Sequence, residues 1–268
     1  MKIAIIGGGN MGSTYAKAFV QSHIVSAQDI LIVEKHSEKK AELQTATAAV
    51  IADDLDASIG NYDIIIVAVK PQDFRVLAGS LAQFLQPNQL ILSIMAGITI
   101  SSIQGLLKHD LVVRAMPNTP AQLGFGITAF TAAPGIAFET ISKVDTLLET
   151  TGKSIFMKDE AQLDAVTALS GSGPAYFYYF VKHMIEAGKQ MGMDEPVVAM
   201  LVKQTMLGSF QLMNHSKLSL DDMIKMVASK GGTTEAALNT FEKNNVGDSI
   251  VHALKAAQTR AKELSQNM

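Results

Sequence analysis

A short apolar run, Ile3-Ala4-Ile5-Ile6, enters the stretch Gly7-Gly8-Gly9-Asn10-Met11-Gly12, and a helix-like segment, Met11–Gln21, follows at once. No other feature narrows the possible folds as much. In G-x-G-x-x-G between a strand and a helix, the first glycine makes the tight turn. The second lets backbone approach a ligand, and the third allows close helix–strand packing. The free N–H groups at the helix start, reinforced by the helix dipole, suit a pyrophosphate. Dinucleotide binding is one reading of these residues; a purely structural turn is the other.

Apolar runs recur at Ile30–Val33, Ile64–Val69, Leu90–Ile94 and Leu111–Val113, with helix-like segments between them. Ile64–Val69 is apolar throughout, as expected of a central parallel strand covered on both faces. The alternation predicts an α/β fold, a Rossmann-type doubly wound parallel sheet. Gly126–Thr131 and Ser154–Met157 are expected to add edge strands, with a helix at about 137–150. From about residue 159 the strand signals stop. Tyr176, Phe180, Met184, Ala187 and Met191 repeat at helical spacing, as do Ile250, Leu254, Ala257, Ala261 and Leu264. The expected organisation is therefore a dinucleotide-binding domain over 1–158 and an all-helical domain over 159–268. Nine of the 14 methionines fall in the helical part. Unbranched methionines fill irregular helix–helix contacts, so this part reads either as ordinary core or as a dimerisation bundle.

Composition excludes several classes. There is no cysteine, hence no disulfide framework, cysteine–zinc site or thiol nucleophile. A net charge of −3 gives no reason to expect a nucleic-acid or anionic membrane partner. No apolar segment reaches membrane-spanning length, and the N-terminus lacks a secretory pattern, so a cytoplasmic location is expected. The six histidines are scattered, without metal-ligand spacing. Mean hydropathy is +0.21, on the apolar side for a soluble chain, which points to surface buried by self-association.

Glu34 ends the second apolar run, 22 residues past Gly12, where an acidic residue accepts from a ribose 2′-hydroxyl. A carboxylate there repels a 2′-phosphate, which leans toward NADH; the adjacent Lys35 and Ser37 could instead bind that phosphate. Ala68, Val69, Lys70 and Pro71 end the long apolar run at the carboxyl edge, where the ligand crevice of this architecture lies. Lys70 lies either against the cofactor or in solvent at a helix start. Asn118 and Thr119, in Arg114-Ala115-Met116-Pro117-Asn118-Thr119-Pro120, are the polar groups able to face a carboxamide; a generic turn is the alternative. Ser170-Gly171-Ser172-Gly173-Pro174 interrupts two helical patterns. Ser229-Lys230-Gly231-Gly232-Thr233-Thr234 opens another helix, and such a turn can cradle a carboxylate. Either turn could equally be a helical corner.

Six stretches together resemble the pyrroline-5-carboxylate reductase family: Ile5–Gly12 (IIGGGNMG), Val67–Gln72 (VAVKPQ), Ala96–Ile103 (AGITISSI), Arg114–Pro120 (RAMPNTP), Ala168–Tyr176 (ALSGSGPAY) and Ser229–Leu238 (SKGGTTEAAL). They follow the family's order across nearly the whole chain. The resemblance implies a Rossmann domain followed by a helical domain that interleaves with its twin, in dimers that often build decamers. It also implies reduction of 1-pyrroline-5-carboxylate to L-proline with NAD(P)H, the last step of proline biosynthesis. By position, Gly7, Gly8, Gly9, Asn10, Met11 and Gly12 hold the pyrophosphate. Ala68–Pro71, Met95 and Ala96 line the cofactor crevice, and Pro117 and Asn118 lie beside the nicotinamide. Ser229, Gly231, Gly232 and Thr233 hold the substrate carboxylate, and the Thr234 hydroxyl, the catalytic candidate, meets the ring nitrogen. Ser170, Gly171, Ser172, Gly173 and Pro174 wall the pocket. Two residues depart from the family pattern: Lys230 stands where proline is common, and Glu34 where NADP-preferring members have a small or basic residue. The competing readings are a β-hydroxyacid or 6-phosphogluconate-type dehydrogenase, which shares the glycine turn, and a nucleotide-binding protein without turnover.

Overall fold

The computed structural model describes residues 1–266. The first part alternates strands and helices: β1 (Ile3–Ile6), α1 (Asn10–Gln21), β2 (Ile30–Val33), α2 (Ser37–Thr47), β3 (Val50–Ala52), β4 (Ile64–Val67), α3 (Pro71–Leu81), β5 (Leu90–Ser93), α4 (Ile100–Leu107), β6 (Val112–Met116), β7 (Gly126–Ala132), α5 (Phe138–Glu149) and β8 (Gly152–Phe156). All eight strands join one sheet in the order β3-β2-β1-β4-β5-β6-β7-β8. Neighbours are parallel except β6 and β7. The chain moves outward from β1 on one side and resumes at β4 on the other. The point of reversal, between the carboxyl ends of β1 and β4, is where doubly wound sheets bind ligands.

Period-2 alternation divides each strand between two cores. Ile5, Ile32, Ile66 and Leu92 pack with Tyr15 and Phe19 on one face. Ala4, Leu31, Ile65 and Ile91 pack with Phe74, Leu81 and Ile103 on the other. Both faces are covered, so every residue of β1, β2, β4 and β5 is buried. Each isoleucine so buried stabilises the fold by about 1.5–3 kcal/mol.

Three local expectations change. The apolar run from Ile64 leaves the sheet after Val67, not Val69. Ala68 still donates its N–H to Ile6 O at 2.9 Å, but the chain then bends over the Gly7 turn and enters α3 with Pro71 in its first turn. Second, β7 is interior, between β6 and β8; the sheet edges are β3 and β8. The three-residue β3, Val50-Ile51-Ala52, is an edge strand that is only partly covered and was missed from the sequence. Third, the interruption at Ser170–Pro174 is not a loop: its backbone stays helical. Helix α6 (Gln162–Val166) continues into a π-turn over Thr167–Gly171, closed by Ser172 N–H to Thr167 O at 2.9 Å, and α7 (Gly173–Gln190) follows. Single π-turns of this kind favour functional sites.

After β8 the described residues contain helices only: α6, α7, α8 (Glu195–His215), α9 (Leu220–Val227), α10 (Thr233–Lys243) and α11 (Val246–Gln266). Met268 of the methionine count lies outside the described residues. By packing, the chain forms two compact units. One holds residues 1–174 with the end of α11 from Ala257, and the other spans Ala175–Ala256. The functional division at residue 158 stands as a proposal beside this packing division. In the second unit Gly188 lets α8 approach α7, since a Cβ there would lie 2.4 Å from Val198 Cγ1. Much of the unit's apolar surface has no cover from its own chain: Phe177, Tyr178, Met200, Ile224, Met226 and Val227 are all exposed. Surface of this size and character marks an interaction face. Among the described residues, no helix is long and apolar enough to cross a membrane.

Candidate active site

In the first unit the carboxyl ends of the central strands are laced together. Gly7 N–H meets Val33 O at 3.0 Å, Glu34 N–H meets Ala52 O at 3.0 Å, and Ile94 N–H meets Val67 O at 3.1 Å. Gly7 has φ +107°, a conformation that disfavours any side chain. A Cβ on Gly12 would lie 2.0 Å from Gly7 O, so helix α1 can approach the turn only with glycine there. A Cβ on Gly9 would meet nothing within 4 Å: the open side of the turn faces free space. Helix α1 has no side-chain cap and no acidic residue in its first turn. The N–H groups of Asn10, Met11 and Gly12 therefore have no intrahelical acceptor. This cradle fits a dinucleotide pyrophosphate. Beside it a solvent-open hollow of about 360 Å³ is lined by Gly8, Gly9, Asn10, Ser13, Lys17 and Lys39, among others.

Glu34 is buried and already committed. One carboxylate oxygen accepts from Gly8 N–H at 3.1 Å; the other accepts from His36 N–H at 2.9 Å and pairs with His36 Nδ1 at 2.6 Å. Burial alone would push this carboxyl up. The donors from His36 and Gly8, with the Lys39 charge, outweigh burial and hold it below the usual glutamate value. Glu34 thus braces the glycine turn from the side where a ribose would sit. Lys35 is exposed beside it, and Ser37 is the first residue of α2.

Ala68 and Val69 are half-buried at the crevice edge, and Lys70 is exposed as the N-cap of α3. Met95 is a core residue whose N–H meets Ser93 Oγ at 3.3 Å, while Ala96 is partly accessible and Pro117 buried. Asn118 joins two of the stretches singled out in the sequence. Its Oδ1 accepts from Ile127 N–H at 3.0 Å, and its Nδ2 donates to Ser170 Oγ at 3.2 Å. Gly171 leaves room for Met116, whose Cε would lie 2.2 Å from a Cβ there. Ser172 closes the π-turn, and Gly173 and Pro174 begin α7.

Sequence reasoning missed the group that holds these segments together. Arg114, only 3% exposed, pairs with Glu160 at 3.0 Å and Asp164 at 3.1 Å. The same Glu160 oxygen accepts Ile100 N–H at 2.8 Å. One buried guanidinium thereby ties β6 to the start of α4 and to α6, just before the π-turn. Nothing in RAMPNTP announces partners 46 and 50 residues away.

In the second unit, the Ser229–Thr234 turn bends at Gly231, with φ +72°. Gly232 N–H meets Ser229 O at 3.0 Å, and Gly231 N–H meets Glu235 Oε2 at 2.7 Å. Helix α10 starts at Thr233 with Gly232 as a cap that contributes no side chain. The N–H groups of Thr233 and Thr234 therefore lack intrahelical acceptors. Among the described residues, the Thr234 hydroxyl makes no hydrogen bond and Lys230 no ion pair.

A doubly wound sheet with a glycine cradle at its switch point defines the dinucleotide-dependent oxidoreductase class. Comparison with known proteins narrows the class. Residues 160–264 match the family described as pyrroline-5-carboxylate reductase dimerisation. Residues 2–97 match the family described as NADP oxidoreductase coenzyme F420-dependent. The chain is 34% identical to a Pseudomonas aeruginosa pyrroline-5-carboxylate reductase, over 100% of this chain and 98% of that one. Two solved structures are also similar. A Plasmodium falciparum pyrroline carboxylate reductase with NADP bound has a TM-score of 0.89 at 25% identity, covering 99% of this chain and 98% of that one. A Streptococcus pyogenes 1-pyrroline-5-carboxylate reductase has a TM-score of 0.88 at 30% identity, covering 98% of each chain. The chain belongs to the pyrroline-5-carboxylate reductase family. Its helical part is a dimerisation region by family, and the chain self-associates.

Proposed function

We propose that this protein reduces 1-pyrroline-5-carboxylate to L-proline, the closing step of proline biosynthesis, with NADH favoured over NADPH, and that it works in the cytoplasm. The observation that carries the reading is a pair of features in one chain: an uncapped glycine cradle at α1, and a helical region matching the reductase dimerisation family over residues 160–264. Dehydrogenases of other substrates share the first feature, not the second.

A bound nicotinamide supplies the hydride. The chain's task is placement. Gly7–Gly12 and the start of α1 hold the pyrophosphate, and Glu34 meets the ribose hydroxyls and repels a 2′-phosphate. Asn118, itself fixed by Ile127 and Ser170, lies beside the carboxamide. The Ser229–Thr234 turn takes the substrate carboxylate, and the Thr234 hydroxyl orients the ring nitrogen. A cyclic imine is readily protonated near neutral pH, so the ring needs orientation more than a strong acid. Productive transfer requires donor and acceptor carbons about 3–3.5 Å apart. The exposed faces of α7, α8 and α9 support an interleaved dimer, the unit from which a decamer would be built.

The decisive experiment is a steady-state assay of imine reduction with NADH and NADPH side by side. Turnover of the cyclic imino acid with a higher kcat/KM for NADH is expected. A hydroxy acid turned over in its place would overturn the substrate assignment. Tight cofactor binding without any imine turnover would favour a nucleotide-binding protein.

A further inference from the structure

The turn proposed to receive the substrate carboxylate already holds a carboxylate of its own. Glu235 is the third residue of α10, where a glutamate ordinarily accepts the N–H of the cap residue in a capping box. Here the cap is Gly232, and its N–H goes to Ser229 O at 3.0 Å. Glu235 reaches one residue further and accepts Gly231 N–H at 2.7 Å. That contact spans the bend at the residue with φ +72°. A Cβ on Gly231 would meet nothing within 4 Å, so the bend is not pressed against its neighbours there, and hydrogen bonds from Gly231 and Gly232 tie it. They use both corner donors, while the N–H groups of Thr233 and Thr234 have no intrahelical acceptor.

We propose that Glu235 is a positioning residue for substrate binding: its grip on Gly231 N–H fixes the bend, so that Thr233 and Thr234 present their N–H groups to the substrate carboxylate. Glu235 itself stays bound to the turn and does not touch substrate. This rests on the reading that the turn is the carboxylate site. Lys230, before the bend, has no ring to fix the backbone as a proline there would, and Glu235 supplies the stiffening.

The test compares Glu235→Ala, Glu235→Gln and Gly231→Ala in the full-length protein. Two substrates are used, 1-pyrroline-5-carboxylate and 1-pyrroline, which lacks the carboxylate, and NADH affinity is followed by fluorescence titration. For Glu235→Ala, KM for the imino acid should rise about tenfold, since a hydrogen bond to a charged group is lost. NADH affinity should stay within twofold of wild type, and kcat/KM for 1-pyrroline, which has no carboxylate to place, should fall less than kcat/KM for the imino acid. Glu235→Gln keeps an acceptor oxygen and should recover most of the loss. An unchanged or lower KM in Glu235→Ala, or an equal loss on both substrates, overturns the proposal. The outcomes separate the two ideas. If Gly231→Ala changes the preference between the substrates and Glu235→Ala does not, only the role of Glu235 falls. If neither variant changes it, the turn is not the carboxylate site and the underlying reading falls as well.

Discussion

Two glycine-rich turns open helices in this chain, and different forces hold them. At Gly7–Gly12 the backbone is pressed into the sheet. A Cβ on Gly7 would lie 2.8 Å from Ala68 O, and one on Gly12 would lie 2.0 Å from Gly7 O. At Ser229–Thr234 the bend at Gly231 has open space around it and is held by Ser229 O and Glu235. The first helix start carries no acidic residue, and the second carries Glu235. The packed turn is braced from the side, by Glu34 on Gly8 N–H, and keeps the donors of its helix start free. The open turn is held by hydrogen bonds at the bend itself, to Ser229 O and Glu235.

The sharpest way to break this comparison is Gly12→Ala. Forcing a methyl against backbone in a packed core costs about 1–3 kcal/mol, and the displaced helix start should no longer bind dinucleotide. A thermal melt and an NADH titration check both. A variant that melts and binds like wild type would show that the first turn is no tighter than the second. Next in size is Glu34→Ser, which removes both the like-charge term and the brace on Gly8. The ratio of kcat/KM for NADH over NADPH should fall by roughly 10–100-fold, a change of about 1–3 kcal/mol. A ratio that stays put would assign cofactor preference to Lys35 and Ser37. Thr234→Ala should lower kcat/KM about tenfold, one hydrogen bond's worth, with NADH affinity unchanged. Thr234→Ser should keep most of the activity, and an alanine variant at full efficiency would remove Thr234 from the mechanism.

The smallest expected effect concerns pH. Glu34 sits below its ordinary value in the folded chain. The stability it contributes is present above the unfolded carboxyl value and is lost as pH falls through the lower folded one. Above about pH 5, well over the reference value for glutamate, Glu34 stays ionised. The NADH-to-NADPH ratio measured from pH 8 down to pH 5 should therefore show no step from this group, and a step within that window would show that the Glu34 charge does not set the ratio.

Reading the sequence succeeded where neighbours along the chain carry the information. The strand Ile30–Val33 follows directly from its apolar run. The start of α10 after Gly232 follows from the small residues before it. Glu235 went unremarked, although it stands three residues after Gly232, the spacing of a capping box. Arg114 was not legible. Its carboxylate partners lie on α6 and just before it, and no local pattern tells a buried paired arginine from an exposed one. The end of β4 at Val67 was also hidden, because apolarity continues to Val69 while the Gly7 turn forces the chain away.

The sequence alone determined the alternation of strand and helix, the glycine cradle, the loss of strands beyond β8 and, through six ordered stretches, the family. These follow from periodicity and from the few residues that permit a given backbone geometry, both of which are local. Only the tertiary structure decided which polar groups are already committed to one another: Glu34 to Gly8 and His36, Arg114 to Glu160 and Asp164, Asn118 to Ser170, and Glu235 to Gly231. A hydrogen bond depends on distance and direction between groups, and for most of these pairs the fold, not spacing along the chain, brings the partners together.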